Sequence, residues 1–215
     1  MRYLIVSGGN ATDEFVSEIV KHGGYDVVMA VDSGMEYLYR AGVLPDIIVG
    51  DLDSVSSETL DYFREQEQIE MCVLNPEKDD TDTEHAIREA IRRGASKISI
   101  IAGTGKRLDH VLGNITMLGI GLQENVSMCL VDENNRIQMI DGNTTLRKAG
   151  QYGRFVSLIP WSDEVVGVTL KGFKYPLSDY TMDKFSSLGI SNEIVDEEAE
   201  ISLTSGCLLL IEARD

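Results

Sequence analysis

Aspartates supply the most informative chemistry in this sequence. Asp32 stands in Asp32-Ser33-Gly34, and Asp51 and Asp53 stand in Gly50-Asp51-Leu52-Asp53-Ser54. Asp79, Asp80 and Asp82 stand in Lys78-Asp79-Asp80-Thr81-Asp82, and Asp109 follows Gly103-Thr104-Gly105-Lys106-Arg107 at a distance of two residues. Carboxylates gathered in one place disfavour ionisation unless a cation neutralises them. Magnesium suits such a site, because it takes one or two carboxylates and completes its shell with waters and phosphate oxygens. The remaining carboxylates are available to a positively charged organic substrate. Lys78, Lys106 and Arg107 lie in the same segments and supply the charge that binds phosphate. The glycines of Ser7-Gly8-Gly9 and Gly103-Thr104-Gly105 let backbone amides approach an anion closely.

Each piece has a plainer reading when taken alone. A single D-x-D is an ordinary turn. Thr81 with Glu84 forms a capping box, and Asp82 then only favours the helix dipole. Gly103–Arg107 is not the phosphate loop of nucleotide triphosphatases, because Ile100 stands at its first glycine and Arg107 at its Ser/Thr. Nor is it a dinucleotide fingerprint, since Leu108 replaces the third glycine. His110 fits a half-buried helix position. Solvated turns do not explain why the acidic clusters follow one apolar run after another.

Those runs identify the elements that must position the acids. Apolar stretches at 3–6, 26–31, 46–50, 69–74, 97–102 and 126–131 read as strands. Between them, 13–22, 34–41, 57–68, 82–93 and 108–119 read as amphipathic helices. The last is expected to turn Leu108, Val111, Leu112 and Ile115 inward. This alternation predicts βαβ units and a mostly parallel sheet, whose strand ends lie on one ligand-binding edge. After about residue 132 the long helical stripes stop. Segments 136–140, 144–147, 155–160, 165–170 and 199–212 read as strands separated by turn residues, which predicts a β-sandwich. The expected fold is therefore α/β, with an N-terminal αβα domain over 1–131 and a C-terminal β-sandwich over 132–215.

Composition narrows the function. The 215 residues carry 19 basic and 36 acidic side chains, a formal charge of −17. That field repels nucleic acid and anionic lipid and favours cations. No segment reaches the roughly 20 apolar residues of a membrane span. Cys72, Cys129 and Cys207 form no C-x-x-C pair and read as thiols in a reducing compartment. Tyr3-Leu4-Ile5-Val6 is too short for a signal-peptide core. A cytoplasmic protein is expected.

At the acidic segments the sequence resembles the thiamine pyrophosphokinase family. The resemblance rests on Asp32-Ser33-Gly34, Pro45-Asp46 with Gly50–Ser54, Lys78–Asp82, and Gly105-Lys106-Arg107-Leu108-Asp109-His110 with Asn114. No piece is specific, but their order and spacing together are. Ser186–Asn192 is similar to the family's thiamine-side segment, with Leu188 near the place where some members carry Trp. The resemblance implies an ATP-binding α/β domain, a thiamine-binding β-sandwich and a homodimer with active sites between subunits. It implies magnesium-dependent transfer of the terminal pyrophosphoryl group of ATP to the hydroxyl of thiamine, releasing AMP.

The residue roles that follow are expectations. Asp51, Asp53, Asp79 and Asp82 hold magnesium; these four, with Arg107 and Asp109, make the catalytic set. Ser7, Gly8, Asp32, Ser33, Lys78, Gly103, Gly105, Lys106, Arg107, His110 and Asn114 receive ATP. Asp80, Ser191 and Asn192 face thiamine. Two alternatives share some of these features. One is a D-x-D nucleotide-sugar or nucleotidyl transferase, and the other is a non-enzymatic metal- or ligand-binding module.

Overall fold

A computed structural model describes residues 1–75 and 79–215. The chain divides into two compact units, Met1–Glu133 and Asn134–Asp215.

The first unit is built on six strands: β1 (Arg2–Val6), β2 (Val27–Val31), β3 (Ile47–Gly50), β4 (Glu70–Val73), β5 (Lys97–Ile101) and β6 (Ser127–Val131). All pair in parallel, in the order β6-β5-β1-β2-β3-β4. Leu4, Ile5, Val6, Ile98, Ile100 and Ile101 are fully buried. Their continuous apolar runs are what a sheet covered on both faces requires. The chain starts at β1, steps outward through β2, β3 and β4, then returns to β5 on the other side of β1. The connections after β1 and β5 therefore lead to opposite sides of the strand order, and ligands of such sheets bind where that order reverses.

Helices α1 (Asp13–His22), α2 (Gly34–Ala41), α3 (Ser57–Arg64), α4 (Asp82–Arg92) and α5 (Leu108–Glu124) connect the strands. The Thr12, Ser56 and Thr81 hydroxyls cap α1, α3 and α4 by accepting from the N–H three residues on. Two sequence expectations need correction here. Helix α3 ends at Arg64, short of residue 68, whereas α5 runs past residue 119 to a left-handed cap at Asn125. The stripe expected of α5 is also displaced. Leu108 and Leu112 are 73% and 56% exposed, and the buried face is Asn114, Met117, Leu118 and Gly121. Apolar residues surround the first turns of α5, so periodicity alone does not choose a face; tight packing of Gly121 against Met128 and Val126 does.

The second unit contains β7 (Asn135–Ile140), β8 (Thr144–Arg147), β9 (Phe155–Pro160), β10 (Glu164–Lys171), β11 (Leu177–Asp183), β12 (Asn192–Glu193), β13 (Glu198–Ser202) and β14 (Leu208–Ala213). One antiparallel sheet runs β12-β9-β14-β7 and the other runs β11-β10-β13-β8. Val156, Leu158, Leu208 and Leu210 from the first pack with Val165, Val168, Leu170 and Ile201 from the second. This is the expected sandwich core. The segment 199–212 is not one strand, because residues 203–207 carry the chain from one sheet to the other. Strand β11 was not foreseen. It is an edge strand whose only fully buried residue is Met182, so it lacks an apolar alternation.

The buried carboxylate of Glu212 on β14 fastens the 148–154 segment. It accepts from Arg136 Nε at 2.6 Å and from the Tyr152 N–H at 2.9 Å, with Glu212 wholly buried. Removing one partner of a buried pair leaves the other charge uncompensated. Glu212→Ala is expected to lower stability by about 3 kcal/mol in urea titration; a loss below about 1 kcal/mol would show that the pair is solvated in practice.

Candidate active site

The crevice at the strand-order reversal forms a cleft of about 540 Å³ within the first unit. Five strand ends feed it, the loop after β3 through Ser54. The loop after β1 contributes Ser7, Gly8, Gly9 and Asn10. Asp32 and Ser33 come from the end of β2. The start of α4 contributes Asp82 and Thr83. The loop after β5 brings Gly103, Gly105, Lys106 and Arg107, and α5 adds Asp109, His110 and Asn114. Three non-glycine residues at this edge, Asp32, Leu52 and Ala102, have positive φ (45°, 66° and 51°). Such backbone costs about 1–3 kcal/mol per residue and concentrates at functional sites.

Asp32 is the electrostatic centre. Its Oδ1 is buried and has no hydrogen-bond partner among the described residues. Its carboxyl is pushed up to about 7, first by burial, then by the charge of the hydrogen-bonded Asp82 carboxyl and by Asp51; the Leu52 N–H acts in the opposite sense. Gly50 makes the close approach possible. A Cβ there would sit 1.8 Å from Asp32 Oδ1, and its φ of 147° also disfavours any side chain.

The carboxylates read from the sequence as a metal set are not gathered as a group. Among the described residues, no three His, Cys, Asp or Glu side chains converge at metal-holding distances. Asp82 lines the cleft; Asp51, Asp53, Asp79 and Asp80 are not among its lining residues. The Asp53 N–H donates to Asp51 Oδ1 at 3.2 Å. Asp79 is exposed, and Asp80 lies 3.6 Å from His85 Nδ1 on α4. The pairing that tertiary structure creates is Asp32, at the end of β2, with Asp82, the first residue of α4. An orphaned buried carboxylate oxygen beside two further acids fits a divalent cation. Magnesium itself needs only one or two carboxylates and completes its shell with waters and phosphate oxygens.

The basic side is organised by α5. Arg107 is its N-cap, and the Arg107 guanidinium grips Asp109 through Nε at 3.2 Å and a terminal nitrogen at 2.6 Å. That guanidinium, with the His110 N–H, holds Asp109 down at about 2. The positive end of a 17-residue helix and two basic side chains thus face one cleft. Asn114 is buried, and its Nδ2 donates to the Gly103 carbonyl at 2.6 Å, so its amide shapes the loop wall. Gly9 and Asn10 donate their N–H groups to the Ala102 and Thr104 carbonyls. Those two amides join loops to each other; they are not aimed at an anion. Lys78 lies outside the described residues.

Thr83 was not singled out from sequence. Its hydroxyl lies 3.0 Å from that of Ser7, both buried, and joins the end of β1 to the first turn of α4. Its position directly after Asp82 is the one available signal. In the second unit, Ser191 has a φ of 59° and donates its N–H to Ser157 Oγ. The buried Asn192 amide accepts from the Tyr175 N–H and donates to the Tyr175 carbonyl, so it braces a turn.

Two family models match the chain: the catalytic domain of thiamin pyrophosphokinase over residues 22–130, and the thiamin pyrophosphokinase vitamin B1 binding domain over 143–208. Thiamine pyrophosphokinase of Bacillus subtilis is 34% identical over 192 residues, 87% of each chain. Its crystal structure superposes with a TM-score of 0.90 over all of both chains at 30% identity. The Geobacillus thermodenitrificans thiamin pyrophosphokinase gives 0.86 at 31% identity, covering 100% of this chain and 98% of that one. The Candida albicans enzyme, at 17% identity and a TM-score of 0.81, shares the fold. With both domain models and a relative of this similarity in agreement, the chain belongs to the thiamine pyrophosphokinase family and is an enzyme of that type.

Proposed function

We propose that the cleft of the first unit binds ATP with magnesium and that the β-sandwich unit binds thiamine. The terminal pyrophosphoryl group of ATP is then transferred to the thiamine hydroxyl. The observation that carries this reading is a single cleft lined by the Asp32–Asp82 carboxyl pair and also by Lys106 and Arg107. Acids alone would repel ATP, and bases alone would leave the buried Asp32 oxygen without a role.

In this reaction the hydroxyl oxygen of thiamine forms a bond to the β-phosphorus. The bond from that phosphorus to the oxygen of the α-phosphate breaks, AMP leaves, and the hydroxyl proton is released. Such transfers depend on positioning and charge stabilisation, so no Ser-His or Cys-His pair is required. Asp82 and Asp51, with Asp32 beside them, would hold magnesium; Asp53 and Asp79 on the neighbouring loops are the further candidates. The bound ion supplies charge neutralisation on the phosphate oxygens. Arg107 and Lys106 bind the same oxygens, and Asp109 keeps the Arg107 fork oriented. Ser7, Gly8, Ser33, Gly103, Gly105 and His110 line the nucleotide side. Asp80, Ser191 and Asn192 are the residues proposed to face thiamine.

Supporting a homodimer, each unit exposes apolar side chains: Leu108 and Leu112 in the first, Phe185 (95%), Leu188 and Ile190 in the second. A cytoplasmic location is proposed on the three free thiols; among the described residues no helix is long and apolar enough to cross a membrane.

Phosphorus NMR with thiamine, ATP and magnesium tests the reaction. AMP and thiamine diphosphate are expected, only when thiamine is present. ADP with thiamine monophosphate would change the reaction to single phosphoryl transfer, and no thiamine-dependent loss of ATP would overturn the reading.

A further inference from the structure

The Gly8–Ala11 loop forms one wall of the cleft, and its backbone is tied on two sides. On the inner side, Gly9 N–H donates to the Ala102 carbonyl at 2.6 Å and Asn10 N–H to the Thr104 carbonyl at 2.7 Å. The approach is so close that a Cβ on Gly9 would fall 2.2 Å from the Thr104 oxygen and 2.5 Å from the Ala102 oxygen. On the outer side a single hydroxyl does the work. Tyr37 Oη donates to the Gly9 carbonyl at 2.8 Å and accepts from the Ala11 N–H at 3.1 Å. The two peptide units that flank Gly9 Cα are thus held, one through the Gly9 N–H by a neighbouring loop and the other through the Gly9 carbonyl by a side chain of α2.

Tyr37 is itself held in place. The Arg40 guanidinium lies 5.0 Å from its ring centroid. Arg40 Nε in turn donates to both carboxylate oxygens of Asp13 at 2.9 Å, on the first turn of α1. Just beyond Ala11, Thr12 donates its N–H and hydroxyl to Glu133 at 2.7 and 3.1 Å. The loop therefore hangs between a tyrosine and a glutamate, with its tip at Gly8, Gly9 and Asn10 in the cleft. Tyr37 is not among the cleft-lining residues, so the hydroxyl acts through the loop.

We propose that Tyr37 is a positioning residue for the nucleotide: its hydroxyl holds the Gly8–Ala11 loop in the shape that receives ATP. The inference rests on the reading of this cleft as the ATP site. A preformed wall spares the ligand the cost of ordering it. Loss of the hydroxyl frees the Gly9 carbonyl and the Ala11 N–H, and its effect should fall on nucleotide affinity and leave thiamine binding alone.

Tyr37→Phe keeps the ring and its contact with Arg40. Two hydrogen bonds of ordinary strength correspond to a rise of about fivefold to 150-fold in KM for ATP. The expected result is that rise, with KM for thiamine and kcat within about twofold of the parent. Binding of AMP or a non-hydrolysable ATP analogue, measured by calorimetry, should weaken by the same factor. Amide hydrogen exchange at Ala11 should accelerate while exchange in the sheet strands is unchanged. A purely structural role would instead lower Tm and weaken both substrates together, which would overturn the proposal. Unchanged nucleotide affinity in Tyr37→Phe, with the parent protein binding normally, would overturn it alone. Failure of the parent protein itself to bind nucleotide would overturn the ATP-site reading, and the role of Tyr37 with it.

Discussion

Asp82→Asn is expected to abolish thiamine diphosphate formation, lowering kcat by about a thousandfold or more, since removal of a single charge-stabilising group typically costs 10²–10³ and this one also loads the metal. The fold should survive, and metal-free protein should melt at the same temperature or higher. The reason is in the apo electrostatics. Asp32 and Asp82 are hydrogen-bonded carboxyls, with Asp51 nearby, and they repel when ionised. Replacing Asp82 by its neutral isostere relieves that repulsion while keeping the α4 cap, which belongs to Thr81. Loss of activity without loss of stability marks a site held together for function. Differential scanning fluorimetry and a coupled AMP assay on the same preparation measure both. Near-parental turnover would remove Asp82 from the site. Lost turnover with a large fall in Tm would instead assign Asp82 a structural role.

Arg107→Ala is expected to reduce kcat by about 10²–10³ with little change in KM for thiamine, the range seen when one preorganised donor to a developing oxyanion is removed. Arg107 sits at the positive end of α5, and Asp109 holds its fork in a fixed plane. Arg107→Lys should recover only part of the rate, because an ammonium keeps the charge but not the planar pair of donors. Steady-state kinetics at saturating ATP separates the two parameters. An unchanged kcat in Arg107→Ala would remove Arg107 from the transfer step, and a rise confined to KM would make it a binding residue only.

The alternation of apolar runs and amphipathic segments was sufficient to read the six parallel strands and their connecting helices, because strand burial on both faces leaves an unbroken apolar signature such as Lys97–Ile101. The change of pattern near residue 132 likewise carried the sandwich, since facing sheets need inward alternation along Phe155–Pro160 and Glu164–Lys171. The acidic clusters also announced themselves, as each lay just past a strand. Edge strand β11 was hidden, because one buried methionine is all its packing demands. The orientation of α5 was hidden too: a helix apolar on several faces buries whichever one its neighbours fit.

Within the site, sequence alone determined which residue types were present and at which strand ends, because strand polarity follows from connectivity. Only tertiary structure decided which carboxylates meet. Asp82 is paired with Asp32, fifty residues away in sequence, a coupling that no local motif announces. The same holds for Tyr37, an ordinary helix residue until α2 packs its hydroxyl against the Gly9 and Ala11 backbone. The physical reason is range. Propensity, capping and burial periodicity act over a few residues and are written locally. Carboxylate coupling and loop anchoring act through space, over distances that only the packed sheet and helices define.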